Sequence, residues 1–314
     1  MNRWCYGLPL LPLAFALQVE ASVSGYLEAG LEYDSNVNVE ALNAASGRSD
    51  QARVLGAGLD ASVQPLPMLN LATGYSYSAR HYATQEAFDQ DVHLAYVDLS
   101  VDMAAVTLGG TYHYSHARLG DERFLDLGRV GLYLGGMTDE VTYLRLGVQE
   151  TRKTFDASPA RDARVQGLSM DAFFFFNDAQ SHVVLGLDGD DERAEDRAFD
   201  NQLYRVRARF SHRTEVSGLE HRLQVVWRYE HRRYSATETV PSEPGLFDPI
   251  FGGQSSRGTG ARRDDAQIID LSWRVGVTPG LGMEARFSAA DYNSNHAAAD
   301  YDKLTAALLL RAAF

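Results

Sequence analysis

The last segment of the chain, Tyr301 to Phe314, constrains the fold most, because its apolar side chains recur at every second residue. One face carries Leu304, Ala306, Leu308, Leu310, Ala312 and Phe314. The other face is mixed and includes Lys303 and Arg311. A period of two residues is that of a β-strand, and this segment exceeds the roughly five or six residues of a typical strand. The pattern therefore predicts a long strand with one apolar and one polar face.

The same alternation recurs along most of the chain, in about fourteen segments separated by polar or Gly-rich connections. The segments are 22–34, 55–63, 69–80, 91–102, 106–117, 126–136, 141–153, 165–176, 182–190, 202–212, 222–234, 266–277, 281–292 and 301–314. Segment 91–102 is apolar on both faces, and we expect a β-bulge there.

The connections alternate in length. They are short after even-numbered segments, as at 103–104 and 279–280, and longer and more charged after odd-numbered ones, as at 35–50 and 235–263. This sorting is typical of bacterial outer-membrane barrels, which have an even strand number, short periplasmic turns and long extracellular loops. A long terminal strand ending in Phe is also typical of them, since the barrel-assembly machinery recognises that strand. The prediction is all-β: a transmembrane antiparallel up-and-down barrel in contact with outer-membrane lipid.

The first residues predict export. Arg3 precedes the apolar run Leu8–Leu17, and Val19-Glu20-Ala21 supplies a small-x-small cleavage site. We expect a signal peptide at 1–21, a barrel domain at 22–314, and passage through the periplasm to the cell outer membrane. The one cysteine, Cys5, lies in the signal, so the mature chain has no disulfides or thiolate ligands. The net charge of −13 argues against nucleic acid as a partner.

If the apolar faces contact lipid, the charges on the opposite faces line the lumen. The predicted basic lining residues are Arg205, Arg207, Arg209, Arg222, Arg228, Arg274, Arg286 and Arg311. The predicted acidic lining residues are Glu28, Glu32, Asp60, Asp98, Asp171 and Asp188. One hypothesis is a conducting pore with basic and acidic walls in different sectors, which gives a transverse field. The alternative is that these charges pair across a narrow lumen and neutralise each other.

The longest loop, 235–263, contains Phe247, Ile250 and Phe251. Clustered apolar residues gain nothing from water, so a loop that folds into the barrel mouth and constricts it is one hypothesis. An ordinary surface loop is the other. The acidic run 188–196 lacks the ligand spacing of an EF-hand. With no Ser/His/Asp arrangement or His cluster either, we expect no enzyme, no cofactor and no metal.

Two short stretches resemble the surface lipoprotein assembly modifier family. They are Leu31-Glu32-Tyr33-Asp34-Ser35-Asn36-Val37-Asn38, and Tyr292-Asn293-Ser294-Asn295 with Asp300-Tyr301-Asp302-Lys303 and the terminal Phe314. The resemblance implies a fourteen-stranded barrel that helps a lipoprotein client reach the cell surface. Family members carry a periplasmic tetratricopeptide domain before the barrel, whereas here the first strand follows the predicted cleavage site closely, so the resemblance covers the barrel alone. Two other functions stay open: a porin-like channel for small polar or anionic solutes, and a non-conducting structural or adhesive barrel.

Overall fold

A computed structural model describes residues 20–39, 44–235 and 261–314. The strands are β1 (Glu20–Asp34), β2 (Asn38–Val39), β3 (Ala44–Ala45), β4 (Asp50–Leu66), β5 (Leu69–Tyr82), β6 (Gln90–Met103), β7 (Val106–Leu119), β8 (Glu122–Met137), β9 (Thr142–Phe155), β10 (Ala163–Phe176), β11 (Ser181–Ala194), β12 (Asn201–Val216), β13 (Leu219–Tyr234), β14 (Arg263–Thr278), β15 (Leu281–Ser294) and β16 (Tyr301–Ala313). Short 3₁₀ turns lie at Glu86–Phe88, Pro159–Arg161, Arg197–Phe199 and Ala297–Ala299. No helix among the described residues is long and apolar enough to cross a membrane.

All strands except the small β2–β3 hairpin form one closed antiparallel barrel of fourteen strands, each paired with its neighbours in chain order. The ring closes where β1 pairs with β16, and Glu28 stands opposite Arg311 at this seam. The predicted fold class is confirmed. The predicted signal peptide lies outside the described residues except for Glu20 and Ala21, which begin β1.

Side chains alternate between an outer apolar face and an inner polar face, as the pleat of a strand requires. On β1 and β16, for example, Leu31 is 68% exposed and Leu310 is 56% exposed on the outer surface. Tyrosine and tryptophan join this surface, and Tyr33, Tyr75, Tyr112, Tyr114, Trp227 and Trp273 are all exposed. An apolar outer band that includes these aromatic side chains suits a lipid environment.

The predicted bulge in segment 91–102 is wrong. The pairing of β6 with β5 and with β7 is continuous, and register shifts occur instead at the ends of β4, β7 and β14. The segment is apolar on both faces because Val92 and Leu94 lie on the inner face, and Val92 lines a cavity there. An apolar inner position needs no change of register.

The two ends of the barrel differ. At the short-turn end, Asp139 accepts hydrogen bonds from the backbone N–H of Val141 and Thr142, at 2.9 and 2.8 Å. These N–H groups, Val141 first, hold the pKa of Asp139 below its usual value. The long-loop end carries the 3₁₀ turns and the β2–β3 hairpin.

Three of the long-loop connections close in the same way. An aspartate after the 3₁₀ turn accepts a hydrogen bond from the backbone N–H at or near the end of the preceding strand. The pairs are Asp89 with Tyr82 (2.7 Å), Asp162 with Phe155 (2.6 Å) and Asp200 with Ala194 (2.7 Å). A backbone donor that would otherwise lose its partner is thereby satisfied.

We expect Asp162→Ala to open its connection locally. The substitution leaves the Phe155 N–H without its acceptor, which costs roughly 1 kcal/mol. Hydrogen exchange at Phe155 should accelerate about fivefold to tenfold, while the amides of the strand centres keep their protection. Unchanged exchange at Phe155 would show that this bond does not hold the connection.

Candidate functional site in the barrel lumen

The alternation places the charged residues predicted to line the lumen on the inner face, where many of them meet. At the seam, the Glu28 carboxylate accepts hydrogen bonds from Arg311 at 2.8 Å and from Arg286 at 3.0 Å. Arg286 also bonds to Glu284 at 2.7 Å, and Glu284 pairs with Arg274 at 2.6 Å. Two carboxylates and three guanidiniums thus join β1, β14, β15 and β16 in one chain of ion pairs.

A second cluster lies across β10 to β13. Arg207 pairs with Asp188 at 2.9 Å and with Asp171 at 3.0 Å, and Arg205 pairs with Glu230 at 2.8 Å. These side chains are at most about one-third exposed, so the pairs are stronger than exposed ones.

Three further pairs complete the pattern. Glu32 pairs with Arg80 at 2.7 Å, Arg228 with Asp270 at 3.6 Å, and Arg222 with Glu220 at 3.2 Å. The expected division into an acidic and a basic sector is therefore wrong for these residues. The sequence reasoning did not consider Glu230, Asp270 and Glu284, which lie on the same face as the arginines of the basic strands. The period-two alternation of these strands is sufficient to predict that the three carboxylates lie on the inner face.

Some inner charges in the half of the barrel nearer the short turns have no ion pair among the described residues. Asp60 and Asp98 accept hydrogen bonds from the neutral hydroxyls of Tyr96 and Tyr133, both at 2.9 Å. Arg209 has no carboxylate within 4.0 Å in the part of the chain that the structure describes. Its strand, β12, lies across the ring from β5, which stands between the strands of the two aspartates. Opposite charges therefore face each other across the lumen here.

Two glycines allow the tyrosines to lie flat against the wall. A Cβ at Gly74 would collide with the Tyr96 ring, and a Cβ at Gly109 would collide with the Tyr133 ring. With the rings on these glycines, the hydroxyls point sideways to the aspartates and not into the centre of the barrel. Arg145 lies over the Tyr133 ring at 3.7 Å in a cation–π contact, and it has no ion pair with any carboxylate that the structure describes.

Among the described residues, two cavities with charged linings lie in the lumen. One, of about 700 Å³, is lined on the inner face by four basic residues (Arg80, Arg228, Arg286 and Lys303) and four acidic ones (Glu28, Glu32, Asp270 and Glu284). Arg118 also borders it, but Arg118 stands opposite Asp91, so its side chain lies on the outer face. The other, of about 390 Å³, is lined by six basic residues (Arg129, Arg145, Lys153, Arg205, Arg207 and Arg232) and four acidic ones (Asp171, Asp188, Asp190 and Glu192). The charges of the larger lining therefore balance, whereas the smaller lining is net positive although the chain carries −13.

The loop between β1 and β4 folds into the mouth of the barrel. Val37 is fully buried and Val39 is 5% exposed, in a cluster with Tyr82, Phe88 and Phe155 of the facing strands and turns. This apolar cluster anchors the loop at the long-loop end. Sequence reasoning missed it, although two valines in a polar loop are a signal of burial.

Asn38 fixes the same loop through polar contacts. Its amide donates to the Tyr301 hydroxyl at 2.8 Å and its side-chain oxygen accepts from Lys303 at 2.6 Å, while Gln90 donates to its backbone carbonyl at 3.3 Å. The bonds reach from β16 to β6, and Asn38 and Val39 line the larger cavity. This loop therefore occupies part of the barrel mouth between β16 and β6. The constriction predicted at Phe247, Ile250 and Phe251 lies outside the described residues.

These features define the class: the protein is an outer-membrane β-barrel, with short turns towards the periplasm and long loops towards the cell exterior. No family model matches the sequence, and no match was found among curated proteins. Several solved barrels are similar in structure at low identity.

The chain resembles a loop L8 deletion mutant of OmpT from Vibrio cholerae, with a TM-score of 0.53 and 9% identity over 94% of this chain and 99% of that one. It resembles an anion-selective porin from Comamonas acidovorans, with a TM-score of 0.50 and 9% identity over 95% of this chain and 100% of that one. It also resembles the outer-membrane channel DcaP of Acinetobacter baumannii, with a TM-score of 0.53 and 7% identity over 94% and 97% of the two chains. At these identities the similarity establishes the fold.

Proposed function

We propose that the barrel is a diffusion channel of the outer membrane for small polar solutes, with a preference for anions. The observation that carries this proposal is the lining of the smaller lumen cavity, in which six basic residues stand against four acidic ones within a strongly acidic chain. A pore selects by the charges on its wall, since solutes pass them at close range. The proposed role needs no catalytic group.

Three arginines are the best candidates to act on passing anions. Arg129 donates to the neutral Thr151 hydroxyl at 3.0 Å, Arg145 lies over the Tyr133 ring, and Arg209 has no carboxylate partner among the described residues. Within the described ranges of the chain, no ion pair neutralises the positive charge of any of the three. The paired arginines are, by contrast, structural, because their charge is already neutralised.

The surface lipoprotein hypothesis rests on the two sequence motifs that resemble the assembly modifier family. In the structure these motifs contact each other: Asp34 pairs with Lys303 at 2.9 Å, Asn38 bonds to Tyr301, and Asn36 donates to the Asp302 carbonyl at 3.1 Å. These contacts close the seam and fix the loop. This structural role explains the residues of both motifs without a client protein. We therefore favour the channel.

The channel is tested by recording the purified barrel in planar bilayers under a KCl gradient. We expect discrete conductance steps and a reversal potential on the anion-selective side. In Arg129→Gln/Arg145→Gln/Arg209→Gln the anion-to-cation permeability ratio should fall about twofold per charge. A charge about 8 Å from the solute contributes about 0.5 kcal/mol in water, salt at physiological strength reduces this to about 0.2 kcal/mol, and the effect has opposite sign for anions and cations.

The matched control is Asp60→Asn/Asp98→Asn, which removes unpaired negative charge from the same lumen and should raise that ratio. An absence of conductance steps would favour a non-conducting structural or adhesive barrel. Cation selectivity in the unmodified protein would contradict the anion preference. Surface display of a lipoprotein, compared with and without the barrel, tests the assembly role separately.

A further inference from the structure

The outer surface of the barrel carries a row of arginines near its long-loop end. Arg152 on β9 stands directly opposite Arg164 on β10, and Arg164 stands directly opposite Arg193 on β11. Their side chains are 71%, 56% and 81% exposed. Like charges in opposed positions on neighbouring strands are destabilising, so a row of three requires an explanation.

The nearby carboxylates compensate this row only in part. Glu150 lies 3.6 Å from Arg152 and 3.4 Å from Arg164, and Asp191 lies 3.1 Å from Arg193. In the part of the chain that the structure describes, two carboxylates lie within 4.0 Å of these three guanidinium groups, and exposed pairs of this kind contribute little. Most of the guanidinium donors therefore remain available. Guanidinium groups bind phosphate with two parallel hydrogen bonds, which makes an anionic phosphate the matching ligand.

An apolar groove of about 670 Å³ lies directly below the row on the outer surface. Its floor is made by exposed aliphatic side chains: Val130, Leu132, Val148 and Leu168. Gly189 contributes no side chain, and a Cβ there would meet only Tyr204, at 4.0 Å. Glu150 and Asp191 lie at the groove edge nearest to the arginines. An apolar groove beneath a cationic row suits a lipid with acyl chains and a phosphorylated headgroup.

The position of the arginine row indicates which kind of lipid it would bind. It lies at the ends of the strands that face the cell exterior, where the barrel meets the headgroups of the outer leaflet. Its three arginines cover two interstrand spacings, or about 10 Å, which is wide for a headgroup with one phosphate. The characteristic outer-leaflet lipid has a disaccharide headgroup with two phosphates and several acyl chains.

We propose that Arg152, Arg164 and Arg193 bind the phosphates of one diphosphorylated glycolipid of the lipid A type, with an acyl chain in the groove below. The bound phosphates relieve the repulsion within the arginine row. The site is on the outside of the wall and is independent of the proposed channel.

The test is native mass spectrometry of the full barrel in detergent, titrated with diphosphoryl lipid A. In Arg152→Gln/Arg164→Gln/Arg193→Gln we expect the Kd to rise at least about tenfold, since each tenfold step corresponds to 1.4 kcal/mol and several charge-assisted bonds are lost. The control Arg53→Gln/Arg123→Gln/Arg213→Gln removes the same charge from exposed, separate positions and should leave the Kd within about twofold.

A second variant tests the groove without any change of charge. Gly189→Leu places a side chain where the acyl chain would lie and should also raise the Kd. Equal weakening by the row variant and its charge-matched control would overturn the proposal. So would binding of phosphatidylglycerol, with its single phosphate, as tightly as lipid A, since that result indicates general attraction of anionic lipids. Channel conductance should be the same in the row variant and the unmodified protein.

Discussion

Replacing residues 36–48 by a two-residue Asn-Gly turn should raise the single-channel conductance roughly two- to threefold, since conduction depends on the open section of the pore. Val37 and Val39 anchor this loop in the barrel mouth, and Asn38 extends it from β16 towards β6. Asp34 and Asp50 stand directly opposite each other at the strand ends. An Asn-Gly turn joins two such strands in the geometry that a β-hairpin favours.

The comparison variant shortens the loop at residues 236–260, where the sequence predicts a constriction by Phe247, Ile250 and Phe251. If the first loop alone limits the pore, only its removal raises the conductance. If both loops contribute, each deletion raises it and the double deletion raises it further. Unchanged conductance after replacement of residues 36–48, in a barrel that still shows heat-modifiable migration on gels, would contradict the constriction that we infer from Val37 and Val39.

The sequence predicts the barrel well because a strand with one face in lipid has to alternate. Segments such as 301–314 show this period directly. The alternation of short and long connections then predicts which end of the barrel faces the periplasm and which faces the cell exterior. Boundaries were less accurate: β4 begins at Asp50 and runs through Pro65 to Leu66, whereas the predicted segment is 55–63. At both ends of a strand, polar and apolar residues alternate less regularly than at its centre. The alternating pattern in the sequence therefore ends before the backbone pairing does.

The arrangement of charges in the lumen was not predictable to the same degree. Alternation assigns Glu28 and Arg286 to the inner face. Their contact also depends on how far neighbouring strands are staggered around the ring, and the sequence of one strand does not specify this stagger. The loop contact between Asn38 and Lys303 joins residues far apart in sequence. The two motifs that contain Asn38 and Lys303 lie near opposite ends of the sequence. They come into contact because the first and last barrel strands pair at the seam.

The seam also gives the largest expected effect on stability. Glu28→Gln should lower the free energy of unfolding by roughly 2 to 3 kcal/mol, because removing one partner of a buried ion pair leaves the other charge without compensation. Glu28 is 9% exposed and accepts from both Arg286 and Arg311. This effect is below the usual range of about 3 to 5 kcal/mol because Arg286 is 38% exposed and water screens it.

Urea unfolding in lipid vesicles, followed by tryptophan fluorescence, measures this loss. Glu220→Gln is the matched control, since Glu220 is 55% exposed beside Arg222 and its removal should change stability by less than about 0.5 kcal/mol. In Glu28→Leu/Arg311→Leu both charges of the closing pair disappear, so most of the lost stability should return. If Glu28→Gln and Glu220→Gln have equal effects, the seam is held by its backbone ladder and its ion pairs serve the lumen alone. If only Glu28→Gln unfolds the barrel readily, closure depends on the acidic first strand meeting the arginine of the last one.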